Sequence, residues 1–167
     1  MAATIEICES NGAGETVSHN ITNTNMGNTD AVNLDPVAYP ITPGSRTYAK
    51  YQRIHVTNIG TSSAINNLKV WRTGALGGSA THLTNAGTTT NYTAKTYATP
   101  TTSSIADVDN AMPTSTPASA NLGIAGDLVS SLTAAGYSDY LVHQILTDAG
   151  DIAGSTSTMS YQYDETA

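Results

Sequence analysis

Hydrophobic and polar residues alternate with period two in the stretch 47–76, which contains many of the strong β-forming residues of the chain. Gln52, Ile54 and Val56 fall on one face of an extended segment, because successive side chains point to opposite faces of a strand. The residues between them are larger or polar and fall on the other face. The pattern predicts a strand with one apolar face towards a core and one polar face towards solvent.

A second alternating run follows this strand after the small and polar residues of 58–62, which favour turn conformations. Leu68 and Val70 share one face of the second run. The phase of the alternation slips at Asn66 and Asn67, and such a slip is typical of a β-bulge. We therefore expect two antiparallel strands joined by a short loop, with a bulge early in the second strand.

The same alternation recurs in short segments along the rest of the chain, and we predict further strands at 4–10, 15–22, 80–85, 91–98, 137–147 and 159–163. The segment 137–147 is apolar on both sides, which indicates either a central strand or a strand with one face against the core and the other against a partner. A turn is predicted at 148–155. About eight short strands without extended helical periodicity predict an all-β fold, a single antiparallel β-sandwich of jelly-roll or immunoglobulin-like type over residues 1–167.

Two segments depart from this pattern. Residues 127–135 place Leu128 and Leu132 at helical spacing after a candidate N-cap, which allows one short helix, although a strand followed by a loop fits almost as well. Residues 86–121 consist mostly of Thr, Ser, Ala, Asn and Pro and offer few large apolar side chains. We expect this segment to be a long loop or arm within the domain, since a connection of this length is usually functional.

Composition and charge narrow the function classes. Charged residues are only 11% of the chain, and the net charge of −7 argues against a nucleic-acid partner, which requires a basic surface. The six basic residues are confined to the central third, where no acidic residue lies: Arg46, Lys50, Arg53, Lys69, Arg72 and Lys95. The acidic flanks either cover this basic region within the same chain or orient neighbouring subunits, and both alternatives remain open at this point.

Candidate catalytic and metal-binding residues are few. The single cysteine, Cys8, excludes an internal disulfide and has no basic neighbour in sequence that would make the thiol reactive. His19 lacks local partners for a metal, so we expect a hydrogen-bonded or rim-exposed imidazole. His82 is expected to be exposed or half-buried. The segment 107–110 begins like a calcium loop, but the residues that follow do not continue the ligand pattern.

No nucleophile elbow, zinc-protease motif or phosphate-binding glycine loop is present in the sequence. We therefore predict no catalytic, cofactor-binding or metal-binding residues, no cofactor and no enzymatic activity. No apolar run approaches the roughly 20 residues that span a bilayer, and no signal peptide is evident, so we expect a soluble, unprocessed protein without a membrane partner.

Four segments resemble a family of small proteins encoded among the virion genes of tailed bacteriophages: KYQRIHVTNIG, NNLKVWRTGAL, GYSDYLVHQIL and a terminal YQYDE. The resemblance implies a β-sandwich that serves as a structural component of the virion. It implies most directly a decoration or cement protein on the outer surface of the capsid. Such proteins bind many copies of the major capsid protein, often as trimers, and need no cofactor. A tail or neck component is the neighbouring expectation.

Aromatic and arginine side chains anchor contacts of this kind, and the outward faces of the central strands offer five interface candidates: Tyr51, Arg53, His55, Lys69 and Trp71. For Trp71, a core or sheet-edge position is favoured slightly over an interface role. The alternative function is a carbohydrate-binding or adhesin-type module, which would present several of the nine tyrosines as a flat stacking platform.

Overall fold

The computed structural model describes residues 1–151 and 156–167, and it confirms the prediction of an all-β, sandwich-like fold. These residues contain no helix, and therefore none that could cross a membrane. Residues 152–155 of the turn predicted at 148–155 lie outside the described residues. The strands are β1 (Thr4–Asn11), β2 (Thr16–Ser18), β3 (Lys50–Asn58), β4 (Ala64–Thr73), β5 (Thr81–Thr84), β6 (Asn110–Ala111), β7 (Gly136–Tyr137), β8 (Leu141–Leu146) and β9 (Thr158–Thr166).

The larger sheet is antiparallel, with strand order β2-β1-β3-β8-β5-β6. The short strand β7 pairs with β3 along the same edge as β8, and residues 138–140 separate the two strands. The backbone N–H of Ile54 donates to the Ser138 hydroxyl at this interruption. Strand β8 lies between β3 and β5, which confirms the prediction of a central strand at 137–147.

The smaller sheet consists of β4 and β9, so the predicted pairing of β3 with β4 is wrong. Both edges of β3 are already occupied, one by β1 and the other by β7 and β8. The turn after β3 therefore carries the chain across to the second sheet. The predicted bulge is confirmed, because the β4–β9 register shifts between Asn66 and Lys69 and Asn67 adopts a φ of 51°.

The main apolar core lies between the two sheets. It joins residues of β3, β4 and β8 to residues of the later loops: Ile54, Val56, Ile65, Leu68, Val70, Ala86, Met112, Leu122, Ile124 and Leu141. Ile5 and Ile7 of β1 pack against this core, as the alternation of β1 predicts. The opposite face of β1 therefore presents Glu6 and Cys8 away from the main core.

A second, smaller apolar cluster covers the other face of the larger sheet, where Tyr51 and Val142 pack with Val108. The segment 86–121 supplies Val108 to this cluster, and it also contributes β6. The predicted strand at 91–98 does not form. The segment instead packs back onto its own sheet and buries apolar side chains on both layers.

The short helix that was considered at 127–135 does not form either. The backbone of Leu132 pairs with that of Ile65 through hydrogen bonds of 2.9 Å in both directions. These two bonds require an extended conformation at Leu132, so tertiary pairing overrides the local helical spacing. Asp127 still accepts a hydrogen bond near the start of the segment, from the backbone N–H of Val129, but this bond closes only a turn.

Candidate functional site

Four potentially reactive side chains meet on the face of the larger sheet that points away from the main core. Glu6 and Cys8 lie on the same face of β1, since they are two residues apart. His55 of β3 stands opposite Glu6 in the strand register. His19 follows directly after β2, on the other side of β1. We call these four residues the His–Cys–Glu cluster.

The donor atoms of the cluster converge on a small volume. Glu6 Oε1 lies 2.7 Å from His19 Nδ1 and 2.6 Å from His55 Nδ1. Cys8 Sγ lies 3.2 Å from His19 Nδ1 and 3.6 Å from Glu6 Oε1. All four donor atoms lie within 4.8 Å of one another. The fold therefore brings a carboxylate and a thiol of β1, an imidazole of β3 and an imidazole that follows β2 close together.

The hydrogen bonds and the burial of the cluster set its protonation. The hydrogen bonds from His55 and His19 lower the pKa of Glu6, because they stabilise the carboxylate. Burial and the neighbouring Glu6 raise the pKa of Cys8 to about 11. Without another ligand, Cys8 is therefore a thiol at neutral pH and not a ready nucleophile.

The cluster does not form the relay of a cysteine hydrolase. Such a relay requires the thiol on one imidazole nitrogen and the orienting carboxylate on the other. Cys8 Sγ and Glu6 Oε1 instead contact the same atom, His19 Nδ1. His19 therefore cannot accept the Cys8 proton on one ring nitrogen while Glu6 orients the ring through the other nitrogen.

The expectation of a hydrogen-bonded or rim-exposed imidazole at His19 is confirmed, because Nδ1 lies 2.7 Å from Glu6 Oε1 and the side chain is 49% exposed. The sequence around His19 does not reveal its neighbours in the cluster, because two of them lie on β1 and one lies on β3. The alternation of β1 already placed Glu6 and Cys8 on one face. The order of the strands, which supplies both histidines, was not visible in the sequence.

The interface candidates on β3 are more enclosed than predicted. Tyr51 is buried against Tyr97 and Tyr140, so its predicted position on an outward, solvent-facing surface is wrong. The guanidinium of Arg53 lies over the rings of Tyr137 and Tyr140, 4.2 Å and 4.3 Å from their centroids.

His55 also stacks on Tyr137, with ring centroids 4.0 Å apart and planes 8° from parallel. Contacts within the same protein chain therefore hold Tyr51, Arg53 and His55 in place.

The candidates on β4 differ from each other. Lys69 is buried, and its ammonium group donates to the carbonyl of Ala118, so its predicted outward position is also wrong. The segment that follows β6 covers it. Trp71 is only partly buried. An interface role for any of the five candidates stays a prediction.

A chain of polar side chains runs through the interior. His82 Nε2 lies 2.7 Å from His143 Nδ1, and His143 Nε2 lies 3.1 Å from Gln52 Oε1. Gln52 donates to Glu9 Oε2, and the ammonium of Lys50 binds Glu9 Oε1 at 2.7 Å. All five side chains are buried. We call this set the buried polar chain.

The hydrogen bonds fix the direction of the imidazoles. Gln52 Oε1 can only accept, so His143 Nε2 carries the proton and His143 Nδ1 accepts from His82 Nε2. His82 Nδ1 is then a bare acceptor, and among the described residues it has no hydrogen-bond partner. His82 is buried, so the expectation of an exposed or half-buried side chain is wrong.

Burial lowers the pKa of both imidazoles. Burial, assisted by the charge of Arg72, lowers the pKa of His82 to about 3. Burial, with His82 and Lys50 nearby, lowers the pKa of His143 well below its usual range. Both histidines border a cavity of about 260 Å³ whose other walls include Met26, Ile145 and several prolines. Two neutral imidazoles in series therefore form a polar part of the wall of this cavity.

Among the described residues, three of the six basic side chains lie within 4.0 Å of a carboxylate of the same chain. Lys50 pairs with Glu9, Arg53 lies 4.0 Å from a carboxylate oxygen of Glu15, and Lys95 binds Asp107 at 2.8 Å. In each pair the acid comes from a segment outside the central basic third. These contacts favour the alternative in which the acidic flanks cover the basic region within one chain.

The fold and the clusters define an all-β, sandwich-like protein with a converging donor set and a buried polar chain. Comparison with known proteins finds no family model, no curated protein and no solved structure that matches this chain.

Proposed function

We propose that this chain is a structural protein of a tailed-bacteriophage virion, a decoration or cement protein that binds the major capsid protein and stabilises the head. The resemblance of its central and C-terminal segments to small virion proteins supports this function. The all-β, sandwich-like fold is compatible with it. The geometry of the His–Cys–Glu cluster is compatible with it too, because the described residues of the cluster form no nucleophile relay.

The observation that carries the proposal is an ordered turn that holds apolar side chains out into solvent. Val37 is 87% exposed and Tyr39 is 47% exposed. We call residues 35–39 the outward turn. Its backbone is held by hydrogen bonds from Val37 N and Tyr39 N to the side chain and carbonyl of Asp35. A rigid apolar projection loses little entropy on binding, which is the property of a contact residue.

The outward turn is also anchored to the rest of the fold. Asn28 N donates to the Tyr39 carbonyl at 3.2 Å, and Tyr48 N donates to the Gly27 carbonyl at 3.0 Å. The projection is thereby fixed relative to the strands. A capsid presents the same docking site many times, so weak contacts through such a projection add up by avidity when the chain is also an oligomer. A trimer, as expected from the resemblance, suits a threefold position on the capsid.

Co-sedimentation with heads of the cognate phage tests the proposal. The wild-type chain should sediment with heads that lack it at micromolar concentration, and Val37→Asp should weaken this binding by at least tenfold. Val129→Asp is the matched control, because Val129 is similarly exposed at 82% on a different segment. Failure of the wild-type chain to sediment would remove the decoration function. Equal binding of the wild type and Val37→Asp would remove the role of the outward turn.

A carbohydrate-binding or adhesin-type module remains the second candidate, and the exposed ring of Tyr39 is the observation that favours it. The other eight of the nine tyrosines are buried or partly buried, which leaves no flat platform of several rings on the described surface. A glycan array separates the two functions. Binding to a defined sugar without any phage protein present, abolished by Tyr39→Ala, would favour the adhesin. A tail or neck position would instead appear as binding to tails and not to heads.

A further inference from the structure

The His–Cys–Glu cluster brings together three kinds of metal donor. A thiol, a carboxylate and two imidazole nitrogens converge within 4.8 Å, although their residues come from three different strands or strand ends. Ordinary hydrogen bonding accounts for each pair separately. The cluster is distinguished by its convergence, since both imidazoles direct the same nitrogen, Nδ1, towards one carboxylate oxygen that a thiol also approaches.

We propose that Glu6, Cys8, His19 and His55 bind one Zn²⁺ ion through Oε1, Sγ and the two Nδ1 atoms. This site goes beyond the proposed function and does not depend on it.

The distances fit a tetrahedral ion after small shifts. Zn²⁺ binds nitrogen, oxygen and sulfur at about 2.0–2.3 Å, so its tetrahedral donors lie about 3.3–3.8 Å apart. The hydrogen-bonded contacts of the cluster are 2.6, 2.7, 3.2 and 3.6 Å. Side-chain movements on the order of 1 Å open the cluster to this spacing, and they require no change in the strand pairing.

The strands hold the donors in place before any ion binds. Glu6 and Cys8 are fixed on one face of β1 by the pleat, and His55 is fixed opposite Glu6 by the register of β1 and β3. The stacking of His55 on Tyr137 holds its ring plane. His19 lies at the rim with half of its side chain exposed, and this provides a path for the ion to enter.

The donor set favours Zn²⁺ over the other common divalent ions. Mg²⁺ and Ca²⁺ prefer all-oxygen sites with six or more ligands, whereas thiolate and imidazole suit zinc. Four protein donors complete a tetrahedral shell and leave no open position for a reacting water, which is the arrangement of structural zinc sites. On binding, the Cys8 thiol releases its proton to solvent and its sulfur bonds the ion. The site therefore implies stabilisation and no catalysis.

Metal titration of the full-length, reduced and chelator-treated chain tests the site. We expect one Zn²⁺ per chain by elemental analysis after gel filtration, and a melting temperature that rises with Zn²⁺ concentration. Co²⁺ should give the visible bands of a tetrahedral complex together with a thiolate-to-cobalt charge-transfer band. A Co²⁺ complex without that band would overturn the assignment of Cys8 as a ligand.

Variants distinguish this site from adventitious binding. His19→Gln removes a half-exposed ligand outside the strands and should leave the fold intact, as circular dichroism would show. It should weaken Zn²⁺ binding by at least about 100-fold, since losing even an outer partner of a metal site costs roughly 10–100-fold. Cys8→Ser should do the same and abolish the charge-transfer band.

The matched control is Glu165→Gln, which removes a carboxylate from β9 in the other sheet and should bind Zn²⁺ as the wild type does. Substoichiometric Zn²⁺, or equal affinity in wild type, His19→Gln and Cys8→Ser, would overturn the proposal. Neither result bears on binding to phage heads, so the metal site and the proposed function can fail separately.

Discussion

Acid should destabilise this fold through His82 and His143, which are buried as neutral imidazoles. Their hydrogen bonds leave no acceptor for a second proton on His143, because Nε2 already donates to Gln52 and Nδ1 accepts from His82. Burial lowers the pKa of His82 to about 3 and that of His143 well below its usual range. Unfolding exposes both rings to water, where histidine has a pKa of about 6.5.

The sign follows from proton linkage. Below pH 6.5 the unfolded chain binds protons that the folded chain does not, so the free energy of unfolding falls as the pH falls. The stabilisation is complete above pH of about 6.5 and is lost progressively towards the folded pKa of about 3. Between pH 7.5 and pH 5, the titration of His82 alone costs about 2 kcal/mol, and His143 adds to this loss in the same direction. The loss from His82 is a substantial part of a typical domain stability of about 5–15 kcal/mol.

Urea unfolding at a series of pH values measures this loss, with a chelator present so that metal binding does not contribute. His82→Gln keeps an N–H donor near the position of Nε2 but removes one titrating group. Its free energy of unfolding should fall by about 2 kcal/mol less than that of the wild type between pH 7.5 and pH 5. Val142→Ala is the control, because it opens a cavity at a fully buried neighbour without changing a titrating group.

The control should be less stable than the wild type by a similar amount at every pH. Parallel curves for the wild type and His82→Gln would refute the reasoning. So would an imidazole proton resonance of either buried histidine that titrates near pH 6.5 in the folded chain.

Two further predictions use matched pairs. Lys50→Met leaves Glu9 buried without its 2.7 Å partner and should cost about 3–5 kcal/mol in urea unfolding; Lys95→Met breaks a partly exposed pair and should cost less than about 1 kcal/mol. Gly27→Ala places a methyl group against the backbone carbonyl of the outward turn and should cost on the order of 1–3 kcal/mol. Gly14→Ala meets no atom within 4 Å and should be nearly neutral. Equal costs within either pair would contradict the corresponding contact.

The strands themselves were predictable from alternation. The segments around Ile54, Met159 and the predicted strand 137–147 have period two, and the structure places strands at each of them. Alternation shows which side chains share a face of a strand, but it does not show which strands pair along their edges. The pairing of β3 with β4 was wrong for this reason, because a short turn can lead either to a hairpin or across to the second sheet.

Burial on the second face of the larger sheet depended on segments distant in sequence. Tyr51 shares its face of β3 with polar residues. It is buried by Tyr97 and Val108, which belong to a segment that composition alone identifies as a loop. Lys69 is covered in the same way by the carbonyl of Ala118. A local pattern cannot show that a loop rich in threonine and serine returns to the sheet, because the few apolar residues that anchor it are widely spaced.

The His–Cys–Glu cluster shows the same limit and adds a consequence for folding. The face shared by Glu6 and Cys8 could be derived from β1 alone, whereas the position of His55 depends on its pairing with Glu6. A slip of one residue between β1 and β3 would move one strand's side chains to the opposite face and separate the donors. An ion that binds only the assembled cluster stabilises the native register over the slipped one by mass action. A structural zinc at this point would therefore select the pairing of β1 with β3, a role that fits a protein whose proposed work is to stabilise an assembly.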